Sequence, residues 1–131
     1  MTSTFSFTKL VVHDVEKMAA FYTTVYGLHA VNRVRGESIG NEAIDEIMLS
    51  PDPKATFGSL VLLKYVGRGP SPNGELILGF TTDDLPALLD RVRAAGGGVH
   101  APIKDMPELK IRVAFATDPE GHLAELVEVR P

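Results

Sequence analysis

AFATDPEGHLAELVEV, Ala114 to Val129, is the stretch that decides how this chain is read. Two apolar runs flank Asp118-Pro119-Glu120-Gly121. Proline presets φ for a turn position and glycine accepts a conformation other residues resist, so the tetrapeptide predicts a hairpin tip. In the strand that follows, alternation puts Ala124 and Leu126 on one face and Leu123, Glu125 and Val127 on the other. Glu125 is thus a carboxylate among hydrocarbons. It is either a solvated strand residue or a functional group in a pocket.

The elements before this stretch fall into two matching series. Thr4 to Val12 alternates and ends in LVV, which predicts a strand. Asp14 stands as a helix N-cap, with Val15, Met18, Tyr22 and Val25 at helical spacing and Gly27 as the stop. Leu28 to Gly36, Ala43 to Ser50 and Phe57 to Val66 predict three further strands. The Gly/Pro-rich joint Gly67 to Gly74 follows; it lacks the Gly-Lys-Ser/Thr of a phosphate loop and reads as a linker. The series then restarts with a strand at Glu75 to Thr82. Asp83 or Asp84 caps a helix with an inward stripe of Leu85, Leu88, Leu89 and Val92, and Gly96-Gly97-Gly98 stops it. Strands at Val99 to Pro102, Lys110 to Thr117 and His122 to Val129 complete the chain. Asp14 to Gly27 and Asp84 to Gly97 have the same separation, so the pattern is a duplicated βαβββ unit. The fold class is α+β in a single domain: module one at 4–66, the linker at 67–74 and module two at 75–130. Neither half buries a sheet face alone, so the halves are expected to pair.

Composition narrows the function. Among 131 residues, 44% hydrophobic content with 23% charged residues is that of a globular chain, and no apolar run is long enough to span a bilayer. The opening MTSTFSFTKL lacks the basic region and apolar core of a secretory signal, so the cytoplasm is the expected compartment. With no cysteine, disulfides, thiolate ligands and cysteine nucleophiles are excluded. A net charge of −4, without a basic stripe, argues against nucleic acid as a partner.

Three stretches carry a family resemblance. VVHDVEKMAAFYTTVYGL, FTTDDLPALLDRVRAAGG and DPEGHLAELVE, in that order, resemble the vicinal oxygen chelate superfamily of glyoxalase, bleomycin-resistance and extradiol dioxygenase proteins. The resemblance implies paired βαβββ modules whose curved sheet forms a cup for a small-molecule ligand, often completed in a homodimer. It also implies four metal-ligand positions. Carried onto this chain these fall on Phe7, Leu62, Ile77 and Glu125, and three hydrocarbons supply no donor to a divalent ion. A register slip of two would exchange Ile77 for Glu75, giving two carboxylates and no histidine. No cofactor is therefore expected, with a divalent metal at Glu125 and Glu75 as the alternative. The four histidines, His13, His29, His100 and His122, read as exposed residues at element ends.

Alternation also suggests what else shares the cup face. Lys9 lies with Phe7, Lys64 with Leu60 and Leu62, and Arg112 with Ala114 and Ala116, while Val61, Leu63, Val113 and Phe115 face the helices. Tyr22 and Tyr65 fall on the packed side. The expected ligand-binding set is Phe7, Lys9, Leu62, Lys64, Glu75, Ile77, Arg112 and Glu125, suited to a flat, partly apolar ligand carrying a carboxylate or enolate. Glu125 is the expected general base, stripped of hydration by its apolar neighbours, or else an anchor paired with Arg112 or Lys64. Two function classes follow. One is metal-independent proton transfer, of isomerase or lyase type, on a small carbonyl or aromatic compound. The other is a non-catalytic binder that sequesters a drug or metabolite.

Overall fold

The structure, a computed structural model, describes residues 3–70 and 76–130. Strand β1 (Thr8–Val11) is followed by helix α1 (Val15–Tyr26) and strands β2 (His29–Ile39), β3 (Glu42–Ser50) and β4 (Leu60–Tyr65). The same order returns in β5 (Ile77–Thr82), α2 (Leu85–Ala94), β6 (Gly98–Met106), β7 (Ile111–Thr117) and β8 (Leu123–Val129), with a 3-10 turn at Pro107–Leu109. The duplicated βαβββ unit is thus present, and the fold is α+β. Two compact units result: one takes the chain through Ser71 apart from residues 24–26, the other takes those three residues and the chain from Pro72.

The first sheet runs β1-β4-β3-β2 and the second β5-β8-β7-β6. In each, the first two strands in that order are parallel and the other pairs antiparallel. Both helices start as their sequences dictate. The Asp14 carboxylate accepts from Lys17 N at 3.0 Å, and of the two candidate acids before α2 it is Asp84 that caps, accepting from Ala87 N at 3.0 Å. Gly27 closes α1 at φ 70°, where a Cβ would be strained. Leu85, Leu88, Leu89 and Val92 are buried on α2, as their spacing requires.

Several strand ends differ from the sequence pattern, each for a local reason. β1 starts at Thr8 rather than Thr4, because the first ladder bond is Thr8 N to Ser59 O and Phe5 upstream is exposed. β4 starts at Leu60 rather than Phe57, after Gly58 crosses so close to β3 that a Cβ there would lie 2.7 Å from Leu49 N. β6 runs well past Pro102. It is an edge strand whose pairing with β7 shifts between Val99 and Ala101 and again between Ala101 and Lys104, and such irregularity accommodates a residue without an N–H. Glu75 and residues 71–74 of the expected linker lie outside the described residues. No helix among the described residues is long and apolar enough to cross a membrane.

Candidate functional site

Residues paired across neighbouring strands share a face, so register assigns each side chain a side. In the first unit, Lys9 pairs with Val61 and Leu10 with Leu62, while Glu46 of β3 pairs with Leu63. One face therefore carries Lys9, Val61, Leu63, Tyr65 and Glu46. Phe7 belongs to it, with its ring centroid 6.0 Å from Lys9 Nζ. The other face carries Leu62, Lys64 and Asp45, and it turns to the start of α1. Lys64 Nζ donates to His13 O at 2.8 Å, and Arg33 bridges Asp45 at 2.9 Å and Glu16 at 3.1 Å. Those Arg33 hydrogen bonds hold the Asp45 carboxyl below the usual carboxylate range.

This corrects the expected faces of Leu62 and Lys64, which do not stand with Phe7 and Lys9. It equally reverses Val61, Leu63 and Tyr65. The cause is the composition of β4, where Leu60 through Leu63 are all buried. A strand covered on both sides carries no polar marker of its outer face.

On the Phe7 face, Lys9 Nζ meets Glu46 Oε1 at 3.0 Å, and Glu46 is only 3% exposed. Phe7 packs edge-on against Phe57, ring centroids 5.0 Å apart, and the two help line an open pocket of about 700 Å³ with Ser50, Pro51 and Asp52. Glu46 was missed in the sequence. The available signal was an acid set in the apolar strand AIDEIMLS.

In the second unit, Glu125 pairs with Gly79 on one side and Phe115 on the other. Ile77, Leu123, Val127 and Val113 lie on the same face by register, so the predicted company of Leu123, Val127 and Ile77 is found there. Ala124, Leu126, Ala114, Ala116 and Arg112 lie on the opposite face, against α2. There Arg112 grips Glu128 through Nε at 2.9 Å and Nη2 at 2.7 Å, and Glu128 Oε2 accepts from Leu85 N, at the start of α2, at 2.7 Å. The Leu85 amide and then Arg112 hold the Glu128 carboxyl below its usual range.

Arg112 is therefore corrected from cup residue to helix-side clasp, and Val113 and Phe115 exchange places with it. Glu128, in register with Arg112, is the true partner. The expected pairings of Glu125 with Arg112 or Lys64 are both overturned, since each cation is engaged on another face. Glu125 is half-buried, and no hydrogen bond or ion pair ties its carboxylate to another described residue. Gly79 leaves space beside it: a Cβ built there meets nothing within 4 Å.

The hairpin tip holds a second polar group. Asp118 Oδ1 accepts from Glu120 N at 2.8 Å and His122 N at 3.0 Å, while Oδ2 lies 2.8 Å from His122 Nδ1. His122 is buried, not exposed as its place at an element end suggested. Tyr26, grouped with this unit, stacks on Phe80 with centroids 3.8 Å apart. Burial, with the Asp118 charge adding, pushes its hydroxyl above the usual tyrosine range.

Among the described residues the donors around Glu125 do not fit a divalent cation. No group of three His, Cys, Asp or Glu residues stands together among the described residues, and the strand partners of Glu125 are a glycine and a phenylalanine. One carboxylate holds such an ion weakly.

A duplicated βαβββ chain with two mixed four-stranded sheets, each with its helix between its first two strands in sequence, defines a class of small α+β proteins. This chain belongs to the Glyoxalase/Bleomycin resistance protein/Dioxygenase superfamily, whose family model matches residues 4–126. It is 29% identical over 126 residues to lactoylglutathione lyase GLX1 of Arabidopsis thaliana, covering 92% of this chain but 42% of that protein. Among solved structures it is similar to a glyoxalase family protein from Bacillus cereus, with TM-score 0.79 and 18% identity over 96% of this chain and 93% of that one. It is also similar to a glyoxalase I mutant from Zea mays, with TM-score 0.77 and 21% identity over 94% of this chain and 45% of that one. The chain thus spans less than half the length of the plant proteins it matches. At these structural identities the likeness establishes the fold.

Proposed function

We propose that this chain handles a small carbonyl or aromatic compound on the Glu125 face of its second unit, with Glu125 as the base in a metal-independent proton transfer of isomerase or lyase type. The observation that carries this reading is the unengaged carboxylate of Glu125 in the middle of β8. Glu46 and Glu128 are each tied to a cation; among the described residues Glu125 has no such tie, and it stands among Gly79, Phe115, Leu123 and Val127. An apolar rim around an acceptor carboxylate favours a partly apolar substrate. Proton abstraction next to a carbonyl is the reaction that one base and such a wall accommodate. The chain would act as a homodimer, following its family.

The same features also favour a second reading. Among the described residues no cation pairs with Glu125 to stabilise a developing enolate, and a lone acid with hydrocarbon walls also suits a protein that binds and sequesters its ligand. The two separate in deuterium oxide. Small ketones, aldehydes and hydroxy-carbonyl compounds are incubated with the protein, and loss of the α-proton signal is followed by NMR. The base reading expects exchange that Glu125→Gln lowers by roughly 10²–10⁴-fold while ligand binding persists. Exchange equal in the wild type and the glutamine variant would sink it; binding without exchange would leave the sequestering protein.

A further inference from the structure

We propose that Lys104 anchors the ligand of the Glu125 face, and that this ligand is an aryl ketone or aldehyde carrying a carboxylate. The inference rests on the Glu125 reading and adds a substrate class to it. Among the paired residues of the second sheet, register leaves two ionised groups on that face. Glu125 of β8 pairs with Phe115 of β7, and Phe115 with Ala101 of β6. Two residues along, Val127 pairs with Val113, and Val113 with Lys104. Lys104 and Glu125 thus stand at opposite corners of a patch that is otherwise hydrocarbon.

A bulge puts the lysine there. From Ala101 to Lys104 strand β6 advances three residues while β7 advances two, from Phe115 to Val113. Without the extra residue, alternation would send Lys104 to the helix side. The next residue confirms the assignment: Asp105 pairs with Arg112, which is clasped to Glu128 on the helix side. Lys104 is exposed, and no hydrogen bond or ion pair ties its ammonium to another described residue. The three cations that alternation offered for the ligand face are all engaged, Lys64 with His13 O, Arg112 with Glu128 and Lys9 with Glu46.

The spacing sets the ligand's length. Two strand spacings of about 4.8 Å and two residues of about 3.4 Å each separate the Cα atoms of Lys104 and Glu125 by roughly 12 Å. With both side chains upright, an anionic oxygen about 3 Å from the ammonium and a carbon acid about 3 Å from the carboxylate leave on the order of 6 Å between the ligand's two ends. A para-substituted benzene ring spans that gap, over Phe115 and Val113 of the intervening strand. Lys104 is too far from the reacting carbon to stabilise an enolate. It selects and positions; Glu125 takes the proton.

4-Acetylbenzoate and 4-acetylbenzamide test the anchor, since they share the ring and acetyl group and differ in charge. Binding to the full chain is titrated by calorimetry and ligand-observed NMR. Exchange is followed in deuterium oxide, where a proton leaves the methyl carbon for Glu125 and a deuteron from solvent takes its place. The wild type is expected to bind the benzoate about fivefold tighter than the benzamide, the upper end of what an exposed ion pair supplies, and the preference should shrink with added salt. Lys104→Met, checked for an unchanged circular dichroism spectrum, brings the ratio toward one, and Lys104→Arg preserves it. Equal binding by the wild type, a ratio that Lys104→Met leaves unchanged, or no binding of either compound overturns the proposal and leaves Lys104 as a guard against pairing of the β6 edge. The Glu125 reading fails on a different observation. A Lys104-dependent preference without exchange, or with exchange that Glu125→Gln leaves intact, removes the base and keeps the anchor. Exchange that needs Glu125 but ignores the carboxylate removes the anchor and keeps the base.

Discussion

Replacing Gly79 with valine tests the Glu125 face without touching the carboxylate. Gly79 is the direct β5 partner of Glu125, its φ is not in the left-handed region, and the first carbon of any side chain there enters open space. The fold should therefore accept valine. Glycine in a strand costs roughly 0.5–1 kcal/mol relative to alanine, and a β-branched residue suits a pleated surface better still, so a gain of about 1 kcal/mol is expected. For a chain of 131 residues the unfolding entropy is about 0.28 kcal/mol per kelvin, which makes that gain a rise in Tm of about 3–4 °C. Function should move the other way, because the isopropyl group fills the space beside the Glu125 carboxylate. Thermal melts followed by circular dichroism report the first effect, and deuterium exchange or ligand titration the second. A fall in Tm of several degrees would refute the register of β5 on β8 or the openness of that face. A stable variant with undiminished exchange and binding would show that ligands do not approach Glu125 from the β5 side.

Asp118→Ala should cost about 2–3 kcal/mol, because it removes the acceptor of two backbone amides and of the buried His122 ring together; a melt within one degree of wild type would show that solvent replaces all three. Acid should destabilise the protein through Glu128 and Asp45. Both carboxyls are held below their ordinary values, near 4.5 and 3.8, so their stabilisation is full above those values and is lost as pH falls through the depressed ones. Glu128→Gln should flatten that limb of a stability-against-pH curve, and an unchanged slope would show that the Leu85 and Arg112 contacts do not survive in solution.

Much of this architecture was legible in the chain because it rests on local rules. Asp14, Gly27 and Asp84 mark helix ends through the backbone groups next to them. The Asp118 to Gly121 turn sets the β7–β8 hairpin, and strict alternation in LAELVEV places Glu125 with Leu123 and Val127. The repeat of one spacing shows the duplication. None of these needs knowledge of a distant residue.

What failed was long-range. Alternation sorts a strand into two sets of residues but does not say which set meets the helix, and in β4 hydrocarbons on both sides remove the last clue. Lys64 and Arg112 both looked like residues of the ligand-binding face. Each turns to a helix start because an acceptor waits there, the His13 carbonyl for one and Glu128 for the other. Lys9 and Glu46 are 37 residues apart and meet only because β4 lies between β1 and β3. The sequence by itself determined the elements, their order, the duplication and the isolation of Glu125 among hydrocarbons, since period, cap and turn are properties of neighbouring residues. Only the tertiary structure decided which charges are spent on the fold and which are left for a ligand, because a charge is engaged by whatever strand pairing and helix placement bring within about 3 Å of it.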